Sequence, residues 1–157
     1  MGLDMYLKAN VYLRGWNHSP AAEQANYAKA IKLAGFKMED ACAESPSVYI
    51  EITVGYWRKA NAIHRWFVQN VQEGRDDCGD YYVTDEKLDA LLADCEAVIA
   101  SPENAKDILP TGAGFFFGST KIDEYYMGDL VRTVAIIKKV RAKFDQKRLS
   151  IYYNSSW

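Results

Sequence analysis

The sequence predicts an α+β fold: a small, mainly antiparallel sheet packed with four to five helices around a central helix. Three observations carry this. First, apolar and polar residues alternate in three separate stretches, with Leu3, Met5 and Leu7 near the start, Val48 to Val54 in the first half, and Leu149, Ile151 and Tyr153 near the end. Period two is the pattern of a half-buried strand. Second, long segments of helical period separate those stretches, so the strands meet only across large sequence distances. Third, at 157 residues the chain fits one globular domain over 1–157, large enough to bury a sizeable core.

In chain order, the first strand covers Leu3 to Lys8, and Val11 and Leu13 extend it or start a second. Gly15 to Pro20 read as a loop, with Ser19 and Pro20 as an N-cap and N1 pair for a helix that ends at Gly35. Tyr27, Ile31 and Ala34 mark its inner face. An irregular stretch with a turn at Ser45-Pro46 leads to the Val48–Val54 strand. Gly55 then divides that strand from the central helix, VGYWRKANAIHRWFVQNVQ, residues 54–72. At 100° per residue, Tyr56, Ala60, Ile63, Phe67 and Val71 form one stripe. Trp57, Asn61, His64 and Val68 form a second beside it, with Lys59 and Trp66 on the flank and Gln69 and Gln72 outward.

Beyond a break at Gly74–Gly79, Thr84 caps an amphipathic helix of Leu88, Leu91, Leu92, Cys95 and Val98. A short helix from Ser101-Pro102-Glu103 closes before Pro110. A long one runs from Ile122 to about Phe144, acidic at its start and basic at its end, as the helix dipole favours.

Composition excludes several classes. The net charge is −2, which gives no field for sequence-independent nucleic-acid binding. Cys42, Cys78 and Cys95 are odd in number and widely spaced, which fits reduced thiols in a cytosolic protein. Neither a leader pattern nor an 18-residue apolar run is present in the sequence, so a soluble, cytoplasmic protein is expected. The 11 Tyr, 6 Phe and 4 Trp suit a core and its binding rim alike.

Chemistry is sparser. Asp76, Asp77, Cys78 and Asp80 gather acids and a thiol in one loop, but without calcium-loop spacing they read as a solvated turn, and no metal or cofactor is expected. The stretch TGAGFFFGSTKIDEYY, residues 111–126, places glycines and hydroxyls before a helix start, a setting that can hold phosphate. It matches neither phosphate-loop pattern. Catalytic candidates reduce to His64, Asp123 and Glu124, with Asp76 or Asp129 as further carboxylates. A ligand site is easier to assemble. Trp57, Tyr81, Tyr82, Phe116 and Tyr125 offer flat faces; Arg58, Asn61 and His64 offer donors; Gly118, Ser119 and Thr120 offer a helix start. Together they fit a nucleotide-like ligand if those segments converge.

The motifs MGLDMYL, YWRKANAIHRWF, DDCGDYYV, LLADC, GFFFGST, DEYY and YYNSSW together resemble a family of small proteins of tailed phages and prophages. Some members bear the label phosphoglycerate kinase, a two-domain enzyme that this chain is too short to be. The resemblance carries no site or catalytic role onto any residue here. Together with the small size, the lack of a catalytic signature and the excess of Tyr and Trp, it points to a non-catalytic accessory protein of the infected host cytoplasm. It would bind a nucleotide-like signal or a host defence protein, countering defence or redirecting metabolism. The alternative is a small nucleotide-processing hydrolase or transferase using His64 and nearby carboxylates. Exposed Tyr and Trp on edge strands would suit a homodimer.

Overall fold

A computed structural model describes residues 2–40, 46–144 and 149–157. It is α+β, with an open four-stranded antiparallel sheet. The elements are β1 (Asp4–Arg14), α1 (Ala21–Leu33), β2 (Ser47–Arg58), α2 (Asn61–Asn70), β3 (Tyr81–Tyr82), α3 (Asp85–Ala100), α4 (Ala105–Ile108), α5 (Glu124–Lys143) and β4 (Ser150–Ser156). The strand order is β2-β1-β4-β3. Tyr81 faces Tyr153 and Tyr82 faces Tyr152 across the β3–β4 pair. The contacts group the chain into two compact units, Met1–Ala9 with Ile52–Trp157, and Asn10–Glu51.

In the larger unit the strand alternation does what period two requires. Leu3, Met5, Leu7 and Ala9 are fully buried on one face, together with Ile151 and Tyr153 of β4. Against them pack Ile63 and Phe67 of α2, Leu88, Leu91, Cys95 and Val98 of α3, and Leu130, Ile137 and Val140 of α5. The Phe67 ring stacks on Tyr153 with centroids 3.9 Å apart. Burial in this core pushes the Cys95 thiol up to about 12, so it behaves as an inert apolar group. Thr84 caps α3 by accepting from Lys87 N–H, and Asp123 caps α5 by accepting from the N–H groups of Tyr125 and Tyr126.

The smaller unit holds α1, where the Tyr27 ring is buried and its hydroxyl donates to the Pro46 carbonyl at 2.8 Å. Gly35 ends that segment at φ +66°, a left-handed conformation glycine takes without strain. The N-cap of α1 is Pro20, with no side-chain cap, so Ser19 does not play the expected role. The expected turn residue Ser45, and Cys42, lie outside the described residues.

The central helix requires a larger correction. Residues 54–58 are the end of β2, and α2 starts only at Asn61. Tyr56 and Trp57 therefore belong to a strand. Burial changes phase here: Val48 and Val54 are only half-buried and Ile50 and Ile52 exposed, whereas from Gly55 on the odd positions turn inward, with Gly55 and Trp57 buried and Tyr56 and Arg58 exposed. Gly55 is not a breaker: a Cβ there would lie 2.7 Å from Ile136 Cγ2 and 3.1 Å from Leu7 Cβ. The glycine allows α5 and β1 to approach the strand. Gln72 is also turned inward, because α2 stops at Asn70 and the Gln72 amide donates to the Arg75 carbonyl.

Candidate functional site

Within the larger unit, the β2–α2 junction and the glycine-rich loop meet, and Asn61 joins them. Its amide Nδ2 donates to the carbonyls of Ser119 at 2.7 Å and Phe117 at 3.1 Å, while its Oδ1 accepts from Gly112 N–H at 3.2 Å. A carboxamide has both a donor and an acceptor end. Asn61 uses both ends to hold a loop that has no regular ladder of its own. Further ties come from Leu3 N–H to the Phe116 carbonyl and from Arg65 to the Thr111 carbonyl. Thr120 contributes its carbonyl, which accepts from the Thr111 hydroxyl.

A cleft of about 290 Å³ opens beside this junction. One side is the start of α2, Arg58 through Ile63; the other is Gly118, Ser119 and Lys121; the α5 end supplies Asp123, Tyr126, Asp129 and Leu130, with Tyr125 exposed at the edge. The Asn61 N–H donates to the Lys59 carbonyl at 2.9 Å, and no side chain caps the start of α2, so the Ala62 and Ile63 N–H groups are the ones that keep the helix's positive end at the cleft. Lys59 holds a left-handed backbone at φ +59°, fixed by its N–H donating to the Leu3 carbonyl at 2.8 Å. Such a conformation costs a non-glycine residue roughly 1–2 kcal/mol. Gly118, at φ +85°, lies against it; a Cβ there would sit 3.2 Å from Lys59 Cβ. Cations Arg58, Lys59 and Lys121 thus border the cleft, and carboxylates Asp123 and Asp129 lie deeper. Asp123 is committed to capping α5. Partial burial pushes the Asp129 carboxyl up to about 6, against the pull of Arg132 and with the help of Asp123.

The residues expected to form a ligand site divide between this cleft and its surroundings. Arg58, Asn61, Gly118, Ser119 and Tyr125 line it, as does the catalytic candidate Asp123. Trp57 lies in the core, its indole donating to the Thr133 hydroxyl at 2.9 Å. Tyr81 and Tyr82 are on β3, and Glu124 is in the exposed first turn of α5. Phe116 and Thr120 belong to the loop but do not line the cleft.

His64 is 1% exposed and has both ring nitrogens engaged, Nδ1 with the Tyr153 hydroxyl at 2.8 Å and Nε2 with Asp76 Oδ2 at 3.0 Å. The other Asp76 oxygen accepts from the Trp157 indole, and the Phe117 ring meets the imidazole edge-on. Burial, then the Asp76 charge, raises the Tyr153 phenol well above its ordinary range. It therefore keeps its proton, and the Asp76 carboxylate accepts from Nε2–H. In the neighbouring turn Asp77 accepts from the Tyr81 hydroxyl and the Gly79 N–H, which lower its carboxyl below the usual range. Among the described residues no group of His, Cys, Asp and Glu is placed to hold a metal ion.

Lys59 and Lys121 were not singled out by the sequence reading. The signal for Lys59 was present: Arg58-Lys59-Ala60 precede a helix with no Ser, Thr or Asp to cap it, a basic pair at an open helix start. No protein-family model, curated protein or solved structure matches this chain.

Proposed function

We propose that the chain is a non-catalytic accessory protein that binds a nucleotide-like anion in the cleft at the start of α2. The observation that carries this is the meeting of Arg58, Lys59 and Lys121 with an uncapped ten-residue helix start. Phosphate oxygens find N–H groups and positive charge together there. Tyr125, 77% exposed at the cleft's edge, supplies a flat face for a base. Asp129, at the α5 end, supplies an acceptor for ribose hydroxyls or an exocyclic amine. The resemblance to phage proteins supports a setting in the infected host cytoplasm, where such binding would withdraw a signal from host defence or redirect metabolism.

A thermal-shift panel of mononucleotides, cyclic dinucleotides, ADP-ribose and inorganic phosphate tests this. At least one nucleotide should raise the melting temperature, and Lys121→Ala should abolish the rise. No rise with any of them, alongside recovery of a host protein on the immobilised chain, would replace the small ligand with a protein target.

One observation favours a second reading, a nucleotide hydrolase or transferase. A carboxyl whose proton leaves near pH 6, lying in a cationic cleft, has the range of a general base. Asp129 holds that position, whereas His64 is buried and does not line the cleft. Nucleotide turnover that disappears in Asp129→Asn while binding persists would favour the enzyme.

A further inference from the structure

The unit Asn10–Glu51 has a cleft of its own, of about 360 Å³, bounded by Tyr12, Arg14, Trp16, His18 and Glu23 among others. Residues two apart on a strand share a face, so Tyr12, Arg14 and, just past the end of β1, Trp16 stand in a row. The Arg14 guanidinium carbon lies 4.4 Å from the Tyr12 ring centroid and 3.9 Å from that of Trp16. Trp16 in turn stacks on His18 at 5.1 Å, and Tyr12 meets Tyr49 at 4.7 Å.

A guanidinium held against two aromatic rings is fixed in orientation, and only its in-plane N–H edge is left for acceptors. Among the described residues nothing accepts from the Arg14 Nε, which is itself buried, so an acceptor from solvent would meet the terminal N–H groups. This is unusual for so ordered a cation, since buried donors normally have acceptors. Arg141 of the larger unit shows the ordinary outcome, held by the carboxylates of Asp85 and Asp89. Charge decides what could supply the missing acceptor. In residues 10–51, Arg14, Lys29, Lys32 and Lys37 are outnumbered by Glu23, Glu39, Asp40, Glu44 and Glu51. With no excess of cations there is no extended positive field to hold the backbone of a nucleic-acid strand. A single small anion fits.

We propose that this cleft is a second small-molecule site, taking a flat heteroaromatic ring that carries one oxyanion, the class of a nucleoside monophosphate. The oxyanion meets the Arg14 edge and the ring lies along the Trp16 and His18 faces. Glu23, on the cleft's rim, accepts from an exocyclic amine. The site is independent of the α2 cleft, because it uses none of that cleft's residues.

Calorimetric titration of the full chain with AMP, IMP and inorganic phosphate tests this. AMP should bind more tightly than IMP or phosphate. Arg14→Lys keeps the charge but lacks the planar fork, and should weaken AMP by about tenfold or more. Lys121→Ala should leave this binding event in place. If Arg14→Lys does not fold, Glu23→Gln, in the exposed first turn of α1, carries the test: it should erase the preference for AMP over IMP. The proposal is overturned if AMP binds no better than phosphate. It is equally overturned if Arg14→Lys or Glu23→Gln behaves as wild type, or if Lys121→Ala abolishes all AMP binding.

Discussion

Asn61 carries more of the site than any cation around it. Its side chain satisfies three backbone groups of a loop that begins about fifty residues away. Removing it strands those groups in a poorly solvated place, where each costs about 1 kcal/mol or more. Asn61→Ala should therefore destabilise the fold by about 2–3 kcal/mol in urea denaturation, and should weaken nucleotide binding because Gly118 and Ser119 lose their anchor. His64 makes an instructive contrast. Its imidazole is spent on Tyr153 and Asp76, so His64→Ala should lower stability by about 3 kcal/mol. Nucleotide affinity in the α2 cleft should stay within about twofold of wild type, as titration below the melting transition would show. A loss of affinity with stability unchanged would instead place the imidazole at the ligand. The sequence identified both residues as important because polar groups stood on an apolar arc. It could not say which one faced a cleft, since that depends on partners such as Gly112 and Tyr153, 51 and 89 positions away.

At the scale of elements, strands were easier to read than junctions. Period-two alternation in β1, β2 and β4 is a local property; the buried and exposed faces follow it in β1 and β4, whereas both faces of β2 are exposed from Tyr49 to Thr53. The end of β2 is misleading because Gly55 looks like punctuation and Trp57, a strand residue, stands by chance at helical spacing from Asn61 and His64 of α2. The glycine answers instead to a contact between β2, Ile136 and Leu7. Gly55→Ala would force a Cβ into that contact and should cost about 1–3 kcal/mol, the range for overpacking a core. Were the glycine a simple breaker between strand and helix, alanine there would be neutral or stabilising. The α3–α5 pair offers a milder test. Arg141 reaches Asp85 and makes a two-pronged contact with Asp89, but it is about one-third exposed. Arg141→Ala should therefore cost no more than about 1 kcal/mol, and the loss should shrink in high salt.

For the molecule as a whole, pH is the informative variable. The Asp129 carboxyl in the folded protein titrates near 6, above the value of 3.8 for an unperturbed aspartate. A raised folded value means that the protonated group favours folding. Its contribution is complete below the unfolded value and is lost as pH rises through about 6. Asp129→Asn removes the ionised form, so it should raise the melting temperature by a few degrees at pH 8, with the gap closing toward pH 4. A gap that is equal at both pH values would mean that Asp129 is as well solvated folded as unfolded. The fold class was legible because patterning decides it. The cleft is half legible: its two segments are chemically suited to each other in the sequence, but the helical spacing there extends over Lys59, which precedes the start of α2.

The most direct test of the α2 cleft is an amide-resolved titration of the full chain with a nucleotide taken from the thermal-shift panel. The predicted result is a set of shifts concentrated at Ala62, Ile63, Gly118, Ser119 and Lys121, saturating together and absent in Lys121→Ala. Saturable shifts confined to other segments, or none from any nucleotide at millimolar concentration, would contradict it.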